Sequence, residues 1–203
     1  KNEIESPHGI ILVTGPTGCG KTTTLYSSLQ EMDKKRLNIS TVEDPVEYEL
    51  AGITQIQVHD KIDMTFSRAL RALLRQDPDV VLLGEIRDME TASVAIQAAM
   101  TGHLVLSTLH TNDAPSSLTR LINIGIEPFL VASAVNGVLA QRLARKVCPK
   151  CVQMKAPTQK ELEALEGYDF EKIPHAVGCA SCRGSGYSGR IGIYELLIMD
   201  DEL

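Results

Sequence analysis

The chain has 203 residues, 43% of them apolar, enough for one good hydrophobic core plus a small appendage. Its 20 Lys and Arg against 26 Asp and Glu leave a net charge of -6, which argues against duplex DNA or an anionic lipid surface as the main partner. Its apolar stretches fall far short of the roughly 20 residues that span a bilayer, and no signal-peptide pattern opens the chain, so a soluble, intracellular protein is expected.

In chain order, a strand at Gly9–Val13 leads to a helix over Thr22–Met32, a strand at Asn38–Val42, a helix over Thr65–Gln76 and a strand at Val80–Leu83. A helix over Glu90–Thr101, ended by Gly102, and a strand at Leu104–Thr108 follow. This alternation predicts an α/β fold with a mainly parallel sheet and helices on both faces. After Pro115 the pattern changes to helices over Ser116–Ile124 and Pro128–Arg145, joined by Gly125-Ile126-Glu127. From Cys148 to about Arg190, Pro, Gly and Cys punctuate a poorly periodic segment, where a second, smaller unit is expected. The predicted division is a core over 1–145, a cysteine-bearing subdomain over 146–190 and the start of a further segment over 191–203. With no initiator Met and no terminating feature, the sequence reads as an excised domain.

The segment Gly15-Pro16-Thr17-Gly18-Cys19-Gly20-Lys21-Thr22 fits G-x-x-x-x-G-K-[ST], follows the apolar run Ile10–Val13 and precedes a helix. Such a loop turns its backbone N–H groups toward phosphate oxygens, with the helix amino end adding positive potential. Lys21 is then expected to neutralise β/γ charge and the Thr22 hydroxyl to ligate Mg²⁺. Cys19 reads as a small filler.

Hydrolysis also requires a carboxylate for the metal and the attacking water. Glu85, directly after Val80–Gly84, would be delivered by a buried strand to the carboxyl edge of the sheet. The usual Asp of that motif is replaced by Gly84. A second acidic group, Glu43-Asp44-Pro45-Val46-Glu47, ends the preceding strand; Mg²⁺ linkage and a solvated acidic turn both explain it. His110, at the carboxyl end of the strand Leu104–Thr108, is placed to sense a γ-phosphate, whereas His103, before that strand, reads as structural. In the helix from Thr65, Arg68, Arg71 and Arg75 lie roughly opposite Phe66, Leu70 and Leu73 at about 100° per residue. That basic stripe is either solvated or reaches a neighbouring subunit's nucleotide. Arg87 and Arg120 are further candidates.

Cys148-Pro-Lys-Cys151 and Cys179-Ala-Ser-Cys182 are two C-x-x-C knuckles with 27 residues between them. Matched pairs in a reducing compartment favour one Zn²⁺ over dithiol redox chemistry or disulfides. Four thiolates leave no open coordination position, so the metal is expected to be structural.

Together, Gly15-Pro-Thr-Gly-Cys-Gly-Lys-Thr-Thr, Thr41-Val-Glu-Asp-Pro-Val-Glu, Leu74-Arg-Gln-Asp-Pro-Asp, Gly84-Glu-Ile-Arg-Asp, Thr101-Gly-His-Leu-Val-Leu-Ser-Thr-Leu-His-Thr-Asn and Ala140-Gln-Arg-Leu closely resemble the secretion ATPase family. That family includes type II secretion and type IV pilus assembly ATPases. The tetracysteine insert followed by Gly184-Ser-Gly-Tyr-Ser-Gly-Arg-Ile-Gly-Ile-Tyr-Glu resembles the secretion and pilus-assembly branch rather than the retraction branch. The resemblance implies a RecA-like core that binds ATP through Gly15–Thr23. It implies an aspartate box of Glu43, Asp44 and Glu47, an atypical Walker B at Glu85, and a histidine box of His103 and His110. It also places Arg71, Arg75, Arg87, Arg120 and Arg190 on arginines important for activity. By the same resemblance the protein works as a homo-hexamer with ATP, Mg²⁺ and Zn²⁺. It is peripheral at the cytoplasmic face of the inner membrane, associating with it indirectly through the cytoplasmic domain of a secretion or pilus platform protein. The family's preceding domain supplies further arginines, so slow hydrolysis is expected from this segment alone. A RecA-like nucleic-acid translocase is the main rival. The acidic charge and the lack of a basic, aromatic-rich groove oppose it, so no nucleic-acid partner is expected. No N-K-x-D motif supports a GTP switch. A purely zinc-built interaction module leaves the strand-end carboxylates unexplained.

Overall fold

In the computed structural model, which describes residues 6–168 and 170–200, alternating apolar runs become a seven-stranded sheet. The strands are β1 (Gly9–Thr14), β2 (Ile39–Glu43), β3 (Thr54–Gln57), β4 (Val80–Leu83), β5 (Leu104–Leu109), β6 (Val135–Val147) and, past a two-stranded ribbon, β9 (Tyr187–Ile198). Their order is β3-β2-β4-β5-β1-β6-β9, and every pairing from β3 to β6 is parallel. Two-residue periodicity splits their side chains between two faces. Ile10, Leu12, Val81, Leu83 and Val105 pack under α2 (Phe66–Leu73), α3 (Met89–Met100), α4 (Ala114–Ile124) and α5 (Pro128–Ala134). Val13, Val80, Leu82, Leu104 and Leu106 pack against Leu25, Tyr26 and Leu29 of α1 (Lys21–Glu31). The predicted mainly parallel sheet with helices on both faces is therefore present.

One element differs in kind. The helix expected over Pro128–Arg145 stops at Ala134, and Val135–Val147 enters the sheet beside β1. A parallel strand buried on both faces gives a continuous apolar run that periodicity cannot separate from a buried helix. β-Branched Val135 and Val138 and helix-weakening Gly137 tip it to strand, and a Cβ on Gly137 would stand 3.0 Å from the Leu197 carbonyl of β9. The structure adds β3 and β9, which the sequence reading did not delimit.

The chain divides into two compact units, Lys1–Arg142 with Tyr194–Leu203, and Leu143–Ile193. The segment expected to open at 191 thus returns to the first unit from Tyr194. Residues 1–5 and 201–203 of the outer predicted segments, and residue 169 of the middle one, lie outside the described residues. The second unit carries the ribbon of β7 (Gln153–Lys155) and β8 (Ile173–His175), the short α6 (Gln159–Ala164) and the cysteine knuckles. A capping box between Thr158 and Glu161 starts α6.

Candidate active site

Parallel strands deliver the residues that follow them to one edge of the sheet, and here β2, β4, β5 and β1 are consecutive neighbours. Their carboxyl ends bring together Glu43 and Asp44, Glu85, His110 and the loop Gly15–Thr22. His103 precedes β5, and its carbonyl accepts from the Gly9 amide at the opposite edge. Its Nδ1 lies 2.9 Å from the Ala98 carbonyl, a structural placement at the end of α3.

The loop has positive φ at Gly15 (139°), Gly18 (78°) and Gly20 (90°), conformations that side chains rarely adopt. Pro16, Thr17 and Gly18 are exposed, while Gly15 and Cys19 are buried. Side chains of Thr65, Asp88 and Asp113 cap α2, α3 and α4, but α1 begins at left-handed Gly20 with no side-chain cap. Its first N–H groups are therefore available for an anion. Lys21 Nζ donates to the Gly15 carbonyl at 2.8 Å, and Thr22 and Thr23 follow on the first turn. At the edge beside the loop, the Thr14 hydroxyl, 2.8 Å from that of Thr111, ties the end of β1 to the segment after β5.

Glu85 is largely sheltered, at 13% exposure, whereas its partners Arg87 and His110 are 63% and 54% exposed. Arg87 forms an ion pair with one carboxylate oxygen, and His110 Nε2 stands 3.4 Å from the other. The hydrogen bond to Glu85 holds the Arg87 guanidinium above its ordinary pKa. At Gly84, where the usual motif has Asp, a Cβ would stand 3.3 Å from Phe66 Cε1 and from the Val42 carbonyl, a tight fit. A polar cleft on the Arg87 side is lined by Asp44, Asp60, Phe66, Arg87, Asp88 and Glu90.

The acidic turn divides in two. Glu43 is buried, and its carboxylate accepts from the Tyr26 hydroxyl, from Thr41 Oγ1 at 2.5 Å and from Gln55 Nε2 at 3.3 Å. Burial and that contact push the Tyr26 hydroxyl pKa well above its usual value. Asp44 and Glu47 are exposed and flank a cis Asp44–Pro45 bond. Among the arginines, Arg71 pairs with Glu90 at 2.6 Å on the surface. Arg75 lies in the 3-10 turn Leu74–Gln76, whose Gln76 carbonyl accepts from Asn38 ahead of β2, at the edge away from the loop. Arg120 and Arg190 are exposed on α4 and β9.

In the second unit the four cysteine sulfurs lie within 4.8 Å of one another, and no cysteine is bridged. The spacings of 4.0, 3.8 and 3.7 Å for Cys148–Cys179, Cys151–Cys182 and Cys179–Cys182 match the ~3.8 Å edge of a tetrahedron with Zn–S near 2.3 Å. Amides of Gly178, Cys179 and Gly186 donate to the Cys151 and Cys182 sulfurs at 3.1 to 3.3 Å, as thiolate ligands require. Backbone amides, that of Cys179 first, draw the Cys182 thiol down, while burial pushes the Cys151 thiol up. The donor set fits Zn²⁺.

Gln141, on β6, received no role from the sequence. It is buried, and its side chain joins Cys19 of the loop to Thr24 of α1. Its place in Ala140-Gln-Arg-Leu was its only signal.

Residues 1–203 match the family model described as "Type II/IV secretion system protein". The chain is 58% identical over 202 residues to the type II secretion system protein HxcR of Pseudomonas aeruginosa, covering 100% of the chain and 40% of that protein. It is 57% identical over 205 residues to the type II secretion system ATPase E of Vibrio cholerae, covering 98% and 40%. The pilus retraction motor PilT with bound ADP superimposes with a TM-score of 0.71 at 32% identity, over 98% of this chain and 50% of that one. The ATPase DotB of Legionella pneumophila, at 24% identity and a TM-score of 0.68, shares the fold over 99% and 48%. The chain thus spans about two fifths of the length of the secretion proteins it matches. Matched along its whole length by one family model, the chain belongs to the type II/IV secretion system protein family.

Proposed function

We propose that this chain is the ATP-hydrolysing part of a type II secretion motor, powering pseudopilus assembly and export across the outer membrane. One observation carries the reading: an uncapped helix preceded by a three-glycine loop shares a sheet edge with Glu85, a carboxylate held between Arg87 and His110. Loop amides from Gly15 to Thr23 and the Lys21 ammonium bind the β- and γ-phosphates. Thr22 would hold the Mg²⁺ that, when bound, would supply neutralisation of phosphate charge. Glu85 accepts a proton from the attacking water as the terminal P–O bond breaks, releasing ADP and phosphate. Arg87 and His110 hold the Glu85 carboxylate in place for that step. Glu43, its carboxylate occupied by Tyr26, Thr41 and Gln55, anchors the acidic turn, leaving exposed Asp44 and Glu47 as the carboxylates that would help hold Mg²⁺. Cys148, Cys151, Cys179 and Cys182 hold a structural Zn²⁺.

The motor is a homo-hexamer docked on the cytoplasmic domain of an inner-membrane platform protein. Arg75 stands at the sheet edge away from its own loop, so its part in hydrolysis is played against a neighbour's nucleotide. Arg71, paired with Glu90 on the surface, would serve the same purpose on leaving that pair. ATPase rate per mole should therefore rise with protein concentration, and unlabelled ATP should displace a bound fluorescent nucleotide better than GTP does. A concentration-independent rate, or equal displacement by GTP, contradicts the reading.

A further inference from the structure

We propose that Gln141 is a positioning residue of the phosphate loop, fixing the peptide that aims the Gly20 N–H into the nucleotide site. The inference rests on the nucleotide-binding reading above and extends it to a strand outside the motif. A glutamine only 3% exposed in a sheet must satisfy its amide within the protein, and this one does so entirely on the loop and the helix behind it. Its Nε2 donates to the Cys19 carbonyl at 2.5 Å, and its Oε1 accepts from Thr24 Oγ1 at 2.7 Å. Its own backbone carbonyl occupies the place a Cβ on Gly15 would take. One residue thus meets the first residue of the loop, its middle and the first turn of α1.

The consequence follows from peptide geometry. In a trans peptide the carbonyl and the next N–H point in opposite directions. Pinning the Cys19 carbonyl outward on Gln141 therefore turns the Gly20 N–H inward, toward the phosphate position at the start of α1. Without that anchor, the freedom of Gly20 about φ leaves the Cys19–Gly20 peptide easier to rotate, and the inward amide must be ordered when nucleotide binds. The position is set by register: Ala140 of β6 pairs with Thr14 of β1, so Gln141 falls beside Gly15.

Affinity for MgATP, measured by calorimetry on the 203-residue protein well below its melting temperature, tests this. Gln141→Met keeps the volume and removes both hydrogen bonds; it should raise Kd about 10-fold, the scale of one lost charge-directed hydrogen bond. Thr24→Val should raise Kd less, and the double variant should be no weaker than Gln141→Met alone, because both act through one bridge. Gln141→Glu keeps an acceptor for Thr24 but loses the donor to Cys19, and should also weaken binding if Gln141→Met fails to fold. Unchanged Kd in the folded Gln141 variants, or additive losses in the double variant, overturns the inference while leaving nucleotide binding intact. No MgATP binding by the wild-type protein overturns the functional reading and this inference with it.

Discussion

The two units of this chain are stabilised in opposite ways. In the first, strands buried on both faces pack against helices, and Leu12, Leu29, Val42, Leu70, Val81 and Leu83 have no exposed surface. Among the described residues of the second, only Cys148, Cys182 and Gly186 are buried, its ribbon strands are three residues long and α6 has six residues. Burial at about 25 cal/mol per Å² accounts for the first and cannot account for the second. The contrast supports the proposed zinc site, in which four cysteine ligands around one metal would substitute for a core.

The largest expected effect follows from removing that substitute. Structural zinc in small peptides contributes about 10–16 kcal/mol, so chelation should release amide protection across 143–193 while the β1 and β5 amides stay protected. Full protection of 143–193 in zinc-free protein would break the comparison. The converse is Leu70→Ala, which should cost the first unit about 2–5 kcal/mol in denaturant unfolding and leave the zinc content unchanged. Loss of zinc in that variant would show that the two units do not stand apart energetically.

The Ser116 hydroxyl and amide hold the Asp113 carboxyl below its ordinary range at the start of α4. A group lowered in the fold stabilises above its unfolded pKa of about 3.9, and that contribution fades as pH falls through the lower folded value. The stability deficit of Asp113→Ala should therefore be present at neutral pH and shrink below about pH 4. A deficit independent of pH would assign the loss to packing instead.

The sheet and the site were unequally legible. Gly15–Thr22 could be read because the chemistry needs glycines and a lysine at fixed spacing, and Glu85 because a short apolar run ends beside it. β6 was hidden because a strand buried on both faces resembles a buried helix. The acidic turn read as one group, but Tyr26 reaches Glu43 from 17 residues away and separates a buried anchor from exposed Asp44 and Glu47. The cysteine knuckles were legible because their ligand spacing is local. Gln141 was not, since its partners Cys19 and Thr24 lie 122 and 117 residues earlier.

In the proposed mechanism Glu85, held between Arg87 and His110, activates the water that hydrolyses ATP bound at the loop. Measuring ATP turnover and MgATP affinity on the same preparation of Glu85→Gln tests it most directly. Turnover should fall at least about 100-fold below wild type, with affinity within about 3-fold. Turnover equal to wild type would contradict it.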